Sequence, residues 1–191
     1  MSGPLSDGPD PVGRKDGALA PSAYPRREPR SRIPSFDYVG RFAYHVILPT
    51  QNRAPRLRNA AFGQRCVQVL QETAALCQFR LLAFCFMPDH LHVLAVGEEE
   101  TSDLVRLVQR FKQKTAFEFK RETGERLWQQ SFYDRTLRVD EDLPTVAQYI
   151  FGNPIKVGLA TEMGECALSG GEYAADEAEA SFLRRTGTPH G

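Results

Sequence analysis

The chain has 191 residues, 41% of them hydrophobic and 10% aromatic, and its 24 Lys and Arg are balanced by 24 Asp and Glu. That composition supports one hydrophobic core of ordinary size plus polar tails. No apolar run reaches the length of a membrane span, and the start MSGPLSDGPDP lacks the basic-then-apolar layout of a signal peptide, so a cytoplasmic protein with no membrane partner is expected.

The zero net charge conceals an uneven distribution. Residues 24–160 hold 20 Lys and Arg against 15 Asp and Glu, whereas residues 161–191 hold 2 against 6. A mildly basic middle permits nucleic-acid binding without requiring it. Cys66, Cys77, Cys85 and Cys166 show no C-x-x-C spacing, and three of them sit in apolar stretches, which reads as reduced, buried thiols. No Cys or His spacing completes a closed tetrahedral zinc set.

Residues 1–30, rich in Pro, Gly, Ser, Arg and Asp, read as a disordered arm with the basic end PRREPRSRIP, either a solvated linker or an arm that touches phosphates. A folded domain is expected over 31–160. Arg41–Thr50 alternates as a first strand, with Phe42, Tyr44, Val46 and Leu48 on one face and Ala43, His45 and Ile47 on the other. Ala60–Cys77 carries Phe62, Cys66, Val69, Leu70 and Cys77 at helical spacing. Phe79–Met87 and Leu91–Val96 flank the breaker Pro88-Asp89 and read as a hairpin. Ser102 is placed as the N-cap of a helix running to about Arg121, with Leu104, Leu107, Val108 and Phe111 as its stripe. Arg106, Arg110 and Lys114 recur every four residues and form a basic ridge, a candidate for contacts to a nucleic-acid backbone. A further strand is expected near Ser131–Val139, then a short helix from about Pro144 to Gly152 with Leu143, Val146, Ala147, Ile150 and Phe151 inward. The tail over 161–191 reads as acidic and poorly ordered. The sum is an α+β fold, a ferredoxin-like βαββαβ sandwich with an antiparallel sheet and an added C-terminal helix.

Chemistry concentrates at two places. His90 and His92 are two of only four histidines, and strand alternation points both the same way beside the turn. Two imidazoles on a rigid hairpin make half of a divalent-metal site, although H-x-H alone is a weak pattern. On the last helix Tyr149 and Asn153 are four apart and share one flank. Tyr149 is open to two readings, an amphipathic packing residue or a nucleophile. A phenol keeps its proton at neutral pH (pKa about 10 in water), so the second reading needs a positioned phosphate and a charge-neutralising metal. His45 is expected to be structural rather than a ligand, and a packing role is expected for Tyr133.

The blocks RIPSFDYVGRFAYHVILPTQNR, FMPDHLHVLAV, LWQQSFYDRTLR and YIFGNPIKVGL follow one another in an order and spacing that resembles the single-tyrosine HUH transposases. They look most like the branch associated with repetitive extragenic palindromes (REP), over about Arg32 to Leu159. The resemblance implies a ferredoxin-like domain with His90 and His92 as ligands of Mg²⁺ or Mn²⁺. It implies Tyr149 as the nucleophile and Asn153 in the place of a third polar ligand. Arg106, Arg110, Lys114, Arg135, Arg138 and Lys156 are the residues expected to contact DNA. The chain departs from the family pattern at Phe151-Gly152, at Asn153 where Gln is commoner, and after Leu159, where ECALSGGEY replaces an expected tryptophan-containing segment.

What the resemblance implies is cleavage and rejoining of single-stranded or hairpin DNA through a 5′-phosphotyrosine, by a monomer or a homodimer. Such chemistry conserves the phosphodiester bond energy, and no P-loop pattern is present. The alternative is a catalytically inactive hairpin DNA- or RNA-binding protein of the same fold.

Overall fold

The computed structural model describes residues 37–137, 142–163 and 165–174. The expected arm over 1–30 and Arg138 lie outside the described residues. The elements run β1 (Ala43–Pro49), α1 (Ala60–Leu76), β2 (Phe79–Met87), β3 (His90–Gly97), α2 (Leu104–Thr123), β4 (Tyr133–Leu137), α3 (Leu143–Phe151), α4 (Asn153–Lys156) and β5 (Ser169–Gly170). The strands form one sheet in the order β4-β1-β3-β2-β5, and every pairing is antiparallel. Up to β4 this is the βαββαβ arrangement that the hydrophobic periodicity implies.

Alternation along each strand splits the apolar residues between two cores. Tyr44, Val46 and Leu48 of β1, with Leu91, Val93 and Ala95 of β3 and Phe84 and Phe86 of β2, face α1 and α2. The stripe of α2, Leu104, Leu107, Val108 and Phe111, closes that core as its spacing requires. On the other face, Ala83, Cys85 and Met87 of β2 pack with Leu94 and Leu137 against Val146, Ala147, Ile150 and Phe151 of α3. On that second face α3 lies against β2 and β3, α4 touches β2, and Met163, Cys166, Tyr173 and Ala174 pack beside them. His45, His90 and His92 belong to the same face by alternation.

Leu91 is the residue between the paired histidines, and it is fully buried on the α1/α2 side. Leu91→Ala is therefore expected to cost about 2–5 kcal/mol of stability, read from the urea unfolding midpoint. An unchanged midpoint would mean that the hairpin is not anchored through this side chain.

Several local expectations shift. The α2 N-cap is Asp103, whose carboxylate accepts from the Arg106 amide at 3.0 Å. Ser102 is buried, and its hydroxyl is occupied elsewhere, donating to the Gln78 carbonyl at 2.7 Å and accepting from the Glu99 amide. Gly124 ends α2 in the left-handed conformation (φ 76°). Phe42 precedes β1 and is 43% exposed, so it flanks the core rather than entering it, its ring edge-on to Tyr44 at 6.4 Å between centroids. The domain also continues past residue 160. Within the stretch expected as an acidic tail, Ser169 and Gly170 pair with Cys85 and Phe84 as β5, and the Phe86 amide donates to the Leu168 carbonyl. Leu168 also packs against the first core, apolar burial that a charge count does not register. All four cysteines are free thiols, with Cys66, Cys77 and Cys85 buried.

Candidate active site

The turn at Pro88-Asp89 joins β2 directly to β3 and is clamped from below. The Thr50 amide and hydroxyl both donate to the Asp89 carbonyl at 2.9 Å, and the Leu57 amide donates to the Pro88 carbonyl at 3.0 Å. Thr50 is fully buried and follows β1, so the end of one strand holds the hairpin tip of another. Asn52 and Arg53 then take left-handed backbone (φ 56° and 53°), which asparagine tolerates but which costs an arginine roughly 1–2 kcal/mol. That turn brings the Arg53 guanidinium to 3.5 Å from the Asp89 carboxylate.

On this scaffold the imidazoles form a continuous row. The Nδ1 of His90 is 2.6 Å from Oδ1 of Asp89, and its Nε2 is 3.0 Å from Nε2 of His92. The Nδ1 of His92 is in turn 3.2 Å from Nε2 of His45. The Asp89 contact puts the His90 proton on Nδ1 and leaves the Nε2 lone pair facing His92, the arrangement of a metal-ligating histidine held by a carboxylate. Two ligands at adjacent corners of an octahedron with bonds of about 2.1 Å lie roughly 3.0 Å apart, so this pair of nitrogens fits a small divalent cation. Among the described residues no three His, Cys, Asp or Glu side chains form a metal cage. His45 does not add one, because its Nε2 is turned to His92 from behind.

Tyr149 reaches the same place from α3. Its ring stands edge-on to His92 at 6.1 Å and to His45 at 6.2 Å between centroids, and the side chain is half-buried. Asp142 caps α3 by accepting from the Thr145 amide, and Ile150, fully buried in the second core, fixes the rotation that turns Tyr149 towards the imidazoles. Lys156 on α4 places its Nζ 4.1 Å from the Tyr149 ring centroid. Asn153 donates from Nδ2 to the carbonyls of Tyr149 (2.9 Å) and Ile150 (3.3 Å). Its amide nitrogen thus closes the end of α3, and Oδ1 remains the acceptor end of the group.

The structure brings His90, His92, Tyr149 and Lys156 together with Asn153 one turn away. Arg135 joins them from β4, where it pairs with His45 and shares its face. Tyr133 lies on that face too, opposite Ile47, and is 37% exposed. The α2 ridge does not converge. Arg106, Arg110 and Lys114 are exposed, but α2 packs on the opposite side of the sheet, and Lys114 lies 3.8 Å from Glu72 of α1. Asp89 and Arg53 are the site residues that sequence reasoning did not single out, and His45, expected to be structural, is the third to border the pair. All three stand inside the resembling blocks, but only tertiary contact gives them their partners.

Burial sets the electrostatics. His92 is 3% exposed, and desolvation, with His90, His45, Arg53 and Lys156 around it, holds its imidazolium form well below the ordinary range. Desolvation and the nearby Arg135 lower His45 to about 4. Burial pushes the Asp89 carboxyl up, but its hydrogen bond to His90 and the charges of His90 and Arg53 outweigh this and leave it lowered. A histidine that titrates near 6.5 when unfolded and near 4 when folded makes the unfolded state bind the extra proton between those values. Stability in chelator is therefore expected to fall as pH drops from 6.5 towards 4. His45→Phe is expected to reduce the slope between pH 6 and 5 by about one proton's worth, measured from urea midpoints. An unchanged slope would show that His45 is not buried in its neutral form.

A family model described as Transposase IS200 like matches residues 38–153, more than half of the chain. The chain belongs to the IS200-like transposase family. Within it, a Haemophilus influenzae protein assigned as a REP-associated tyrosine transposase is 30% identical over 101 residues, covering 46% of this chain and 56% of that protein. This transposase-family chain thus spans little more than half the length of that relative. A solved REP-associated tyrosine transposase bound to a REP hairpin superposes with a TM-score of 0.58 at 19% identity, over 78% of this chain and 81% of that one. At that identity the fold is what is shared. A Deinococcus radiodurans structure assigned as a transposase gives a TM-score of 0.45 at 23% identity, over 60% and 92% of the two chains.

Proposed function

We propose that this chain is a metal-dependent DNA strand transferase that cleaves and rejoins single-stranded or hairpin DNA through Tyr149. The observation that carries the reading is the meeting of the Tyr149 ring with the His90–His92 pair at one end of the sheet face. In this reading His90 and His92 hold Mg²⁺ or Mn²⁺ through their facing Nε2 atoms, with Asn153 Oδ1 as the third protein ligand. The bound cation supplies charge neutralisation at the scissile phosphate.

The remaining work falls to side chains of the chain itself. Tyr149 is held by α3 with its ring against two imidazoles, so its hydroxyl meets a bound phosphate without a search through rotamers. The Oη–P bond forms as the P–O3′ bond breaks. The phenol loses a proton and the departing oxygen gains one, leaving a 5′-phosphotyrosine and a 3′-hydroxyl. Attack by another 3′-hydroxyl reverses the step and joins strands. Lys156, beside the ring, and Arg135, on the β4 side, offset the charge of the phosphodiester backbone. A single strand suits the site because it can bend over an open sheet face and lay bases on exposed aromatics such as Tyr133. Arg106, Arg110 and Lys114, behind the sheet, are available to a distant part of the same DNA but not to the strand at Tyr149.

Incubation with end-labelled single-stranded and hairpin oligonucleotides tests the reading. With Mg²⁺ or Mn²⁺, a 3′ label should travel with the protein on a denaturing gel, and a 5′ label should appear in a shorter fragment. Chelator should suppress both. Hairpin binding without any adduct would instead support the catalytically inactive binder.

A further inference from the structure

We infer that His45 is a positioning residue: it accepts the Nδ1 proton of His92 and so turns the Nε2 lone pair of His92 towards the cation. The inference rests on the reading of His90 and His92 as the cation-binding pair. A neutral imidazole has one proton and one lone pair. If Nε2 of His92 is a ligand, the proton is on Nδ1, and whatever faces Nδ1 must accept it. The facing atom is Nε2 of His45 at 3.2 Å, and the ring centroids are 5.4 Å apart, so the rings meet end to end through these two nitrogens rather than face to face. His45 then carries its own proton on Nδ1.

His90 and His92 are thus oriented by different means. His90 sits at the rim, where Asp89 can orient it and Arg53 can balance the carboxylate. His92 is one residue pair further into the sheet and 3% exposed, where a carboxylate partner would be buried at high cost and a neutral ring is not. The sheet register makes the contact possible. Ile47 lies directly across from His92, so His45 is its diagonal neighbour, within reach of a long ring on the same face. The His45 ring also borders Tyr149, so one side chain abuts both the ligand and the nucleophile.

The test uses the intact chain and Mn²⁺, with binding followed by the spin-resonance signal of free Mn²⁺. His45→Phe keeps a ring and removes the acceptor, whereas His45→Gln keeps an acceptor at similar reach. His45→Phe is expected to weaken Mn²⁺ affinity by about 10–100-fold. His45→Gln should recover most of that loss, while the two variants melt alike in chelator. Independently, ¹⁵N spectra of the Mg²⁺-loaded wild-type chain should show His92 protonated at Nδ1, a readout that needs no variant and no activity. Wild-type Mn²⁺ affinity in His45→Phe, equal losses in both variants, or a His92 proton on Nε2 would overturn the role of His45 alone. A wild-type chain that binds no Mn²⁺ would overturn the cation site as well.

Discussion

Tyr149→Phe is expected to abolish strand cleavage while leaving hairpin binding within about twofold of wild type. The substitution deletes one oxygen and keeps the ring that packs against His45, His92 and Lys156. Loss of a covalent nucleophile commonly costs roughly 10⁴-fold or more in rate, because positioning and electrostatics that remain have no bond to form. Binding should survive, since the apolar anchors of α3, Val146, Ile150 and Phe151, are untouched. A parallel fall in binding would mean that the phenol matters for the fold of the site rather than for the chemistry. Cleavage that persists would move the nucleophile elsewhere, with Tyr133 the first candidate because it shares the face and is exposed.

His92→Ala should be nearly as damaging, by a different route. It removes one of the two facing Nε2 atoms and leaves Nε2 of His45 without the partner it now has. Mn²⁺ binding is expected to fall by at least about 100-fold, and cleavage to drop by about three orders of magnitude with it. Excess Mn²⁺ should restore part of the cleavage if the loss is one of affinity. Undiminished cleavage at low Mn²⁺ would exclude His92 as a ligand. His90→Ala should behave similarly but with a smaller effect on stability, because His90 is half-buried at the rim and His92 is enclosed.

Strand and helix periods were enough to read the hairpin, the three principal helices and the sheet class. Breaker residues at Pro88-Asp89 and a strict period of two made the shared direction of His90 and His92 legible. Facts that depend on pairing were not. That His45 sits diagonally across from His92 follows from the β1–β3 register, which no local pattern encodes. The capping residue of α2 moved by one because Ser102 and Asp103 are both good caps, and a distant carbonyl at Gln78 decided between them. Arg53 depends on a left-handed turn at two non-glycine residues, which propensity disfavours. The basic ridge of α2 was visible as a ridge, but which side of the sheet it occupies relative to Tyr149 emerges only from the packing of α1 and α2.

Peptide mapping after reaction with a single-stranded oligonucleotide and Mn²⁺ locates the nucleophile without any variant. The chain would be digested and the nucleotide-bearing peptide sequenced by mass spectrometry. The expected result is a phosphodiester-linked nucleotide on Tyr149, formed with Mn²⁺ and missing in chelator. A nucleotide on any other side chain, or intact oligonucleotide with no modified peptide under conditions where that oligonucleotide is bound, would contradict this chemistry.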